Sequence, residues 1–294
     1  MSSPVRKAVI PAAGYGTRFL PVAKAVPKEM LPLVDQPVIE HVVREAVESG
    51  IADILIVISR SKRAIEEHFH PAHELEAELQ AKGRDEELER LRELHRLANI
   101  HYVWQPRMGG LGDAVLQARF HVGNEPFAVL LGDTVISTEG ERPLTRQLAD
   151  VVESRGGSAV ALQEVPLEKV QRYGILGGDD LGGGLIFGRQ FIEKPRPDLA
   201  PSRFAVCARY VLSPAIFEQL QATPKGKGGE LQLTDAMAGL MQREALHGLL
   251  FAGQRHDIGN KLDFLKANVH FGLKHPEIGD SLRQWLRDLL RDSP

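Results

Sequence analysis

VIPAAGYGTRFLPVAKAVPKEMLP, from Val9 to Pro32, holds the transition on which the fold turns. The apolar run Ala8-Val9-Ile10 reads as the C-terminal end of a strand. It enters the small-residue turn Ala12-Ala13-Gly14-Tyr15-Gly16. Such a turn offers bare backbone N–H groups, and glycine lets a ligand approach the main chain closely. One cation follows at Arg18, and a second, Lys28, stands in a proline-framed stretch. Backbone dipoles only partly offset the charge of a phosphate, and two fixed cations complete the neutralisation.

The loop is not a Walker A loop, because no Gly-Lys-Ser/Thr closes it. It is a poor dinucleotide fingerprint as well. Gly14 and Gly16 supply the first two glycines, but Phe19 takes the third position, where a bulky ring blocks close helix–strand packing. The pattern G-x-G-T-R followed by P-K-E-M-L-P resembles the signature of the sugar-1-phosphate nucleotidylyltransferases. The plain alternative is a tight turn after an edge strand, with ordinary surface cations.

Outward from this loop, short apolar runs alternate with helical spacing. Asp53 to Ile58 and Phe127 to Leu131 are continuous rather than alternating, as expected of strands buried on both faces. Between them, Val38, Ile39, Val42, Val43 and Val47 recur at helical spacing over Val38–Glu48, and Gly50 is a stop signal. The alternation predicts an α/β doubly wound sheet. Ligands of such sheets lie beyond the strand C-termini, where the Gly14 loop and the Gly132-Asp133 turn both fall. Residues 73–98 read as a charged helical insertion broken near Gly83, with Leu88, Leu91, Leu94 and Leu97 in one stripe. Gly182-Gly183-Gly184 reads as a tight turn. The expected division is a catalytic domain over residues 5–259 and a helical extension over 260–294.

Composition narrows the function class. The chain has 294 residues, a net charge of −3 and no long basic block, which argues against a nucleic-acid binder. No apolar run approaches a membrane span. The N-terminal MSSPVRK lacks an apolar signal-peptide core. Cys207 is the only cysteine, so no internal disulfide forms, which fits a reducing cytoplasm.

Four further clusters carry chemistry. Gln105 precedes the glycine-rich turn Gly109-Gly110-Leu111-Gly112, and its amide offers the donor and acceptor that a uracil or thymine edge requires. Asp133 ends a buried strand beside the phosphate loop, a natural place for a Mg²⁺ ligand, although Asp there also caps helices. Gly174 follows Tyr173, and Glu193-Lys194-Pro195 stands downstream. Carboxylates and backbone groups recognise sugar hydroxyls, and a lysine suits a sugar phosphate. Asp257, before Gly259, is a candidate second metal carboxylate or simply an Asp-x-Gly turn.

Taken in order, these clusters resemble the bacterial UTP–glucose-1-phosphate uridylyltransferases over nearly the whole chain. The distinctive stretches are PKEMLPLVDQP at Pro27–Pro37, GLGDAVL at Gly110–Leu116, EKP at Glu193–Pro195, GELQLTDA at Gly229–Ala236 and DIGNKLDFLKA at Asp257–Ala267. The resemblance implies a Rossmann-like nucleotidyltransferase core with a mixed, mostly parallel sheet flanked by helices, plus C-terminal helices. It implies UTP and glucose 1-phosphate as substrates, Mg²⁺ as cofactor, and a homo-oligomer, dimer or tetramer, built partly through those helices. It places Ala12, Ala13 and Gly14 at the nucleoside and phosphates, Arg18 and Lys28 on the UTP phosphates, and Glu29 beside them. Gln105 and Gly110 read the uracil, Asp133 and Asp257 bind Mg²⁺, Gly174 and Glu193 contact glucose, and Lys194 holds its phosphate. Three positions depart from the pattern: Asp113 where His is usual, Thr134 where a second Asp is common, and Ala208 where Gly is usual. They put nucleotide and sugar choice in question more than reaction class. The competing readings are a thymidylyltransferase and a non-catalytic regulatory paralogue.

Overall fold

A computed structural model describes residues 4–140 and 142–291. The strands in chain order are β1 (Lys7–Pro11), β2 (Pro32–Leu33), β3 (Gln36–Pro37), β4 (Asp53–Ile58), β5 (Asn99–Trp104), β6 (Phe127–Leu130), β7 (Thr134–Thr138), β8 (Ser158–Glu164), β9 (Gly174–Asp180), β10 (Leu185–Glu193), β11 (Phe204–Leu212), β12 (Leu246–Leu250) and β13 (Gly253–Asp257). Nine of them form one sheet in the order β5-β4-β1-β6-β11-β8-β12-β10-β9. β5, β4, β1 and β6 are mutually parallel, as are β8 and β12. β11 and β10 pair antiparallel with their neighbours, so seven strands run one way and two run against them. The sheet is thus mixed, with most strands running one way, as the family resemblance implies.

The continuous apolar runs bury both faces because successive side chains of a strand point to opposite sides. Ala8, Ile10, Ile54, Ile56 and Ile58 face one core with Ile39, Val42, Val43 and Ala46 of the helix Val38–Glu48. Val9, Leu55, Val57 and Val129 face the other with Phe217, Leu220, Ala236 and Met237. A third, smaller core joins Phe19, Leu31, Leu33 and Ile258 to Ala267, Phe264 and Phe271 of the helix Lys261–Lys274. Phe19 meets Phe264 edge to face, with ring centroids 5.8 Å apart. The ring that spoils the dinucleotide fingerprint therefore anchors the loop to the first C-terminal helix.

The charged region folds as two helices, His73–Ala81 and Asp85–Arg96, separated at Gly83. The glycine triplet turns the β9–β10 hairpin, with all three residues at positive φ. The C-terminal region holds the helices Lys261–Lys274 and Gly279–Arg291. No helix among the described residues is long and apolar enough to cross a membrane.

Two ion pairs are buried beneath the sheet's C-terminal edge. Arg209 is fully buried and donates from Nε and Nη2 to Glu45, and from Nη2 to the Thr134 carbonyl at 2.8 Å. Lys62, also buried, donates to Glu29 Oε2 at 2.7 Å.

Candidate active site

Two cavities open side by side at the C-terminal ends of β1 and β6. The smaller, about 410 Å³, is lined by Ala12, Ala13, Gly14, Lys28, Glu29, Gln105, Gly110 and Asp133. The larger, about 530 Å³, is lined by Arg18, Lys28, Asp133, Gly174, Glu193, Lys194 and Asp257. Every site residue expected from the sequence thus lines one of the two, and Lys28 and Asp133 line both. A still larger cavity, about 730 Å³, lies between the helix Asp85–Arg96 and residues 271–276 and holds none of them.

The smaller chamber begins where β1 ends. Ala12 N–H is not bare, as the sequence suggests, because parallel pairing continues one residue further and it donates to Val57 O at 2.8 Å. The N–H groups of Ala13, Gly14, Tyr15 and Gly16 find no acceptor among the described residues. Gly16 sits at φ +66, and an added Cβ would press on Lys28 Cβ, Cγ and Cδ at 3.3 Å. Glycine here permits both the turn and the close seating of Lys28 against it. Across the chamber, Gly110 takes φ +95 to start the helix Leu111–Leu116, where a Cβ would meet Leu231 O and Glu230 Cβ at 2.8 Å. Leu231 N–H donates to Gly109 O, and Gly112 N–H to Leu231 O, so the GELQLTDA segment is stitched to the glycine turn.

Lys28 and Asp133 form an ion pair at the junction of the chambers. Burial is the strongest single influence on Lys28 and disfavours its charge, but the carboxylates of Asp133, Glu29 and Asp257 together outweigh it, and its pKa lies above the ordinary lysine value. For Asp133, burial pushes upward, but the charge and hydrogen bond of Lys28, joined by a backbone hydrogen bond and the Thr134 hydroxyl, together hold its carboxyl below the usual range. Asp257 is raised, first by burial and then by the negative charge of Asp133. The two carboxylates are brought together by the β7–β13 ribbon, in which Thr134 pairs with Asp257. Ile258 N–H closes the arrangement by donating to Asp133 O at 2.9 Å. Two hard oxygen donors that repel one another make a donor set suited to a divalent cation. Arg18 reaches the same turn, with Nη1 3.4 Å from Gly259 O.

Glu29 stands 1% exposed, and its Oε2 accepts from Lys62. Burial raises its pKa more than Lys62 and Lys28 lower it. Its carboxylate is therefore turned inward, a support beneath Lys28 more than a free ligand. In the larger chamber Lys194 lies 2.7 Å from Glu193 and takes φ +46. A lysine in left-handed backbone is strained by roughly 1–2 kcal/mol, a cost that concentrates at functional sites.

Two of the three departures have a structural consequence. Ala208 lies at φ +59, in an irregular stretch of β11 between Val206 and Tyr210. The usual glycine would adopt this conformation freely, and alanine costs about 1 kcal/mol more. Asp113 accepts a hydrogen bond from Gln105 Nε2 at 2.7 Å. Thr134 only directs its hydroxyl toward Asp133 Oδ1, 3.4 Å away.

Several lining residues escape sequence reasoning. Arg255 stacks over the Tyr173 ring at 4.6 Å and donates to its hydroxyl at 2.9 Å. Arg172, Tyr210, Glu230 and Gln232 also line the larger chamber. Glu230 and Gln232 stand inside GELQLTDA, so the motif carries a signal for them. Arg255 has none, since an isolated cation in a strand reads as a solvated face.

The chain matches the nucleotidyl transferase family model over residues 7–272. It is 48% identical over 291 residues to the UTP–glucose-1-phosphate uridylyltransferase YngB of Bacillus subtilis (strain 168), covering 99% of this chain and 97% of that one. Among solved structures, a UTP-bound UGPase from Acinetobacter baumannii is similar at TM-score 0.88 and 38% identity, covering 97% of this chain and 99% of that chain. A UDP-glucose pyrophosphorylase complexed with UDP-glucose is similar at TM-score 0.84 and 37% identity, covering 92% and 100% respectively. By its fold, its paired chambers and these likenesses, the chain belongs to the nucleotidyl transferase family and, within it, to the UTP–glucose-1-phosphate uridylyltransferases.

Proposed function

We propose that the chain transfers a uridylyl group from UTP to glucose 1-phosphate, giving UDP-glucose and pyrophosphate. The observation that carries this reading is the pair of chambers meeting at Lys28 and Asp133. The smaller suits a nucleoside, with Gln105 and Gly110 at the base and the free N–H groups of the Gly14 loop toward phosphate. The larger suits the sugar, with Gly174 and Glu193 at its hydroxyls and Lys194 at its phosphate.

The chemistry is in-line. A phosphate oxygen of glucose 1-phosphate forms a bond to the α-phosphorus of UTP, and the bond from that phosphorus to the bridging oxygen of pyrophosphate breaks. The attacking oxygen is already ionised near neutral pH, so no general base is needed. The task is to bring two anions together, so charge neutralisation and alignment do most to lower the barrier. Lys194 holds the attacking phosphate, and Arg18 and Lys28 hold the triphosphate. Asp133 and Asp257 fit a divalent cation, Mg²⁺ in this reading, which supplies Lewis-acid neutralisation of the triphosphate when bound. Lys28 covers Asp133 with positive charge until then. Glu29, held by Lys62, keeps the Lys28 loop in place.

The cytoplasm fits the single, buried Cys207. Exposed Leu262, Leu265, Trp285 and Leu290 on the two C-terminal helices support self-association as a dimer or tetramer.

Nucleotide choice tests this reading. UTP is expected first and dTTP second when kcat/KM is compared with glucose 1-phosphate as acceptor. The thymine methyl changes binding by only about 1–3 kcal/mol, whereas loss of a hydrogen-bonded hydroxyl is discriminated more strongly. A clear preference for dTTP would move the chain to thymidylyl transfer and leave the in-line mechanism standing.

A further inference from the structure

Gln105 is 6% exposed, and its hydrogen bonds can be accounted for in full. Its Nε2 donates to Asp113 Oδ2 at 2.7 Å and to Gly110 O at 3.2 Å. Both amide hydrogens are therefore committed to the protein. Its Oε1 has no donor among the described residues, while the side chain lines the smaller chamber. The sense of the amide is not arbitrary, because a carboxylate and a carbonyl can only accept. Rotating the amide by half a turn would set Oε1 against two acceptors.

Asp113 is itself held. Gly109 packs on it so closely that an added Cβ would lie 2.7 Å from Asp113 Cγ. Gln117 Nε2 approaches its carbonyl at 3.3 Å and its Oδ1 at 3.5 Å. A histidine, usual at this position, can donate or accept and would not impose one sense on the amide. Aspartate does.

We propose that Asp113 is a specificity-determining positioning residue, which locks Gln105 so that only an acceptor faces the base and thereby selects pyrimidines carrying an N3–H. This rests on the reading of the smaller chamber as the nucleoside site. Uracil and thymine present a donor at N3. Cytosine presents an acceptor there, which meets the fixed Oε1 as acceptor against acceptor. To receive cytosine, the amide must turn over and lose both of its present partners.

The test compares UTP with CTP on the full-length protein, by equilibrium binding in the presence of Mg²⁺ and by kcat/KM with glucose 1-phosphate. Asp113→Asn keeps the shape under Gly109 but pairs with the Gln105 amide in either sense. Asp113→Leu removes the carboxylate acceptor and leaves the Gln105 amide only the longer bond to Gly110 O. In folded variants, the UTP-to-CTP ratio should fall by about 10-fold, the scale of one buried hydrogen-bond mismatch, with most of the change in CTP. A merely structural role would lower both nucleotides together and leave the ratio unmoved. An unchanged ratio in both folded variants overturns the proposal, as does wild-type protein that binds the two nucleotides equally. Wild-type protein that prefers UTP in binding but transfers no uridylyl group would contradict the enzymatic reading instead, and the binding ratios of the variants would still decide the role of Asp113.

Discussion

Lys28→Ala lowers turnover by about 30- to 1000-fold while the protein remains folded, the loss expected for one charge-assisted contact of roughly 2–4 kcal/mol in a preorganised site. Among the described residues, Lys28 is the only cation that lines both chambers. It is held in its charged form by Asp133 and seated against Gly16. Alanine leaves the β2–β3 hairpin and the Phe19 core untouched, since neither contains the Lys28 side chain. Steady-state kinetics with a circular-dichroism spectrum as the folding control make the measurement. Near-wild-type turnover in a folded variant would remove Lys28 from the charge clamp.

Asp133→Asn has the second large effect. The amide preserves shape but removes the charge that a hard cation prefers, and it also deprives Lys28 of its partner. Activity at fixed Mg²⁺ should fall by about 100-fold or more, the upper end of what even indirect disturbance of a metal site produces. The Mg²⁺ concentration for half-maximal activity should rise. Asp257→Asn should show the same signs to a smaller degree, because Asp257 lines only the larger chamber and has no ion pair with Lys28. Titration of activity against Mg²⁺ in both variants distinguishes them. An unchanged requirement in both would contradict the two-carboxylate site.

The parts of the fold legible in the sequence are those with local causes. Ala8-Val9-Ile10 and Ile54 to Ile58 announce buried parallel strands because neither face meets water. Val38–Glu48 shows its helix by its own spacing. The candidate site is legible where motif and strand end coincide, as at Gly14 and Asp133, and at Lys28 through the PKEMLP motif alone. What escapes depends on partners far along the chain. Glu45 reads as the polar side of a helix, yet it meets Arg209, 164 residues away, in a buried pair that also fixes Thr134 O beside Asp133. Arg255 and Tyr173, 82 residues apart, are joined only because β13 and the β9 entry converge on one chamber. The Ala12 N–H illustrates the same limit on a smaller scale, since its acceptor lies on a neighbouring strand. Asp113, taken alone, reads as a weakening of a base-recognition motif. Its hydrogen bond to Gln105 turns it into an explanation of base choice.

The most direct measurement follows the label of α-³²P UTP incubated with the protein, Mg²⁺ and glucose 1-phosphate. The two-chamber account predicts that the label appears in UDP-glucose, that pyrophosphate is released in equal amount, and that omitting glucose 1-phosphate stops both. UTP bound but left intact, with no labelled nucleotide sugar formed, would contradict it and assign the chain a non-catalytic role.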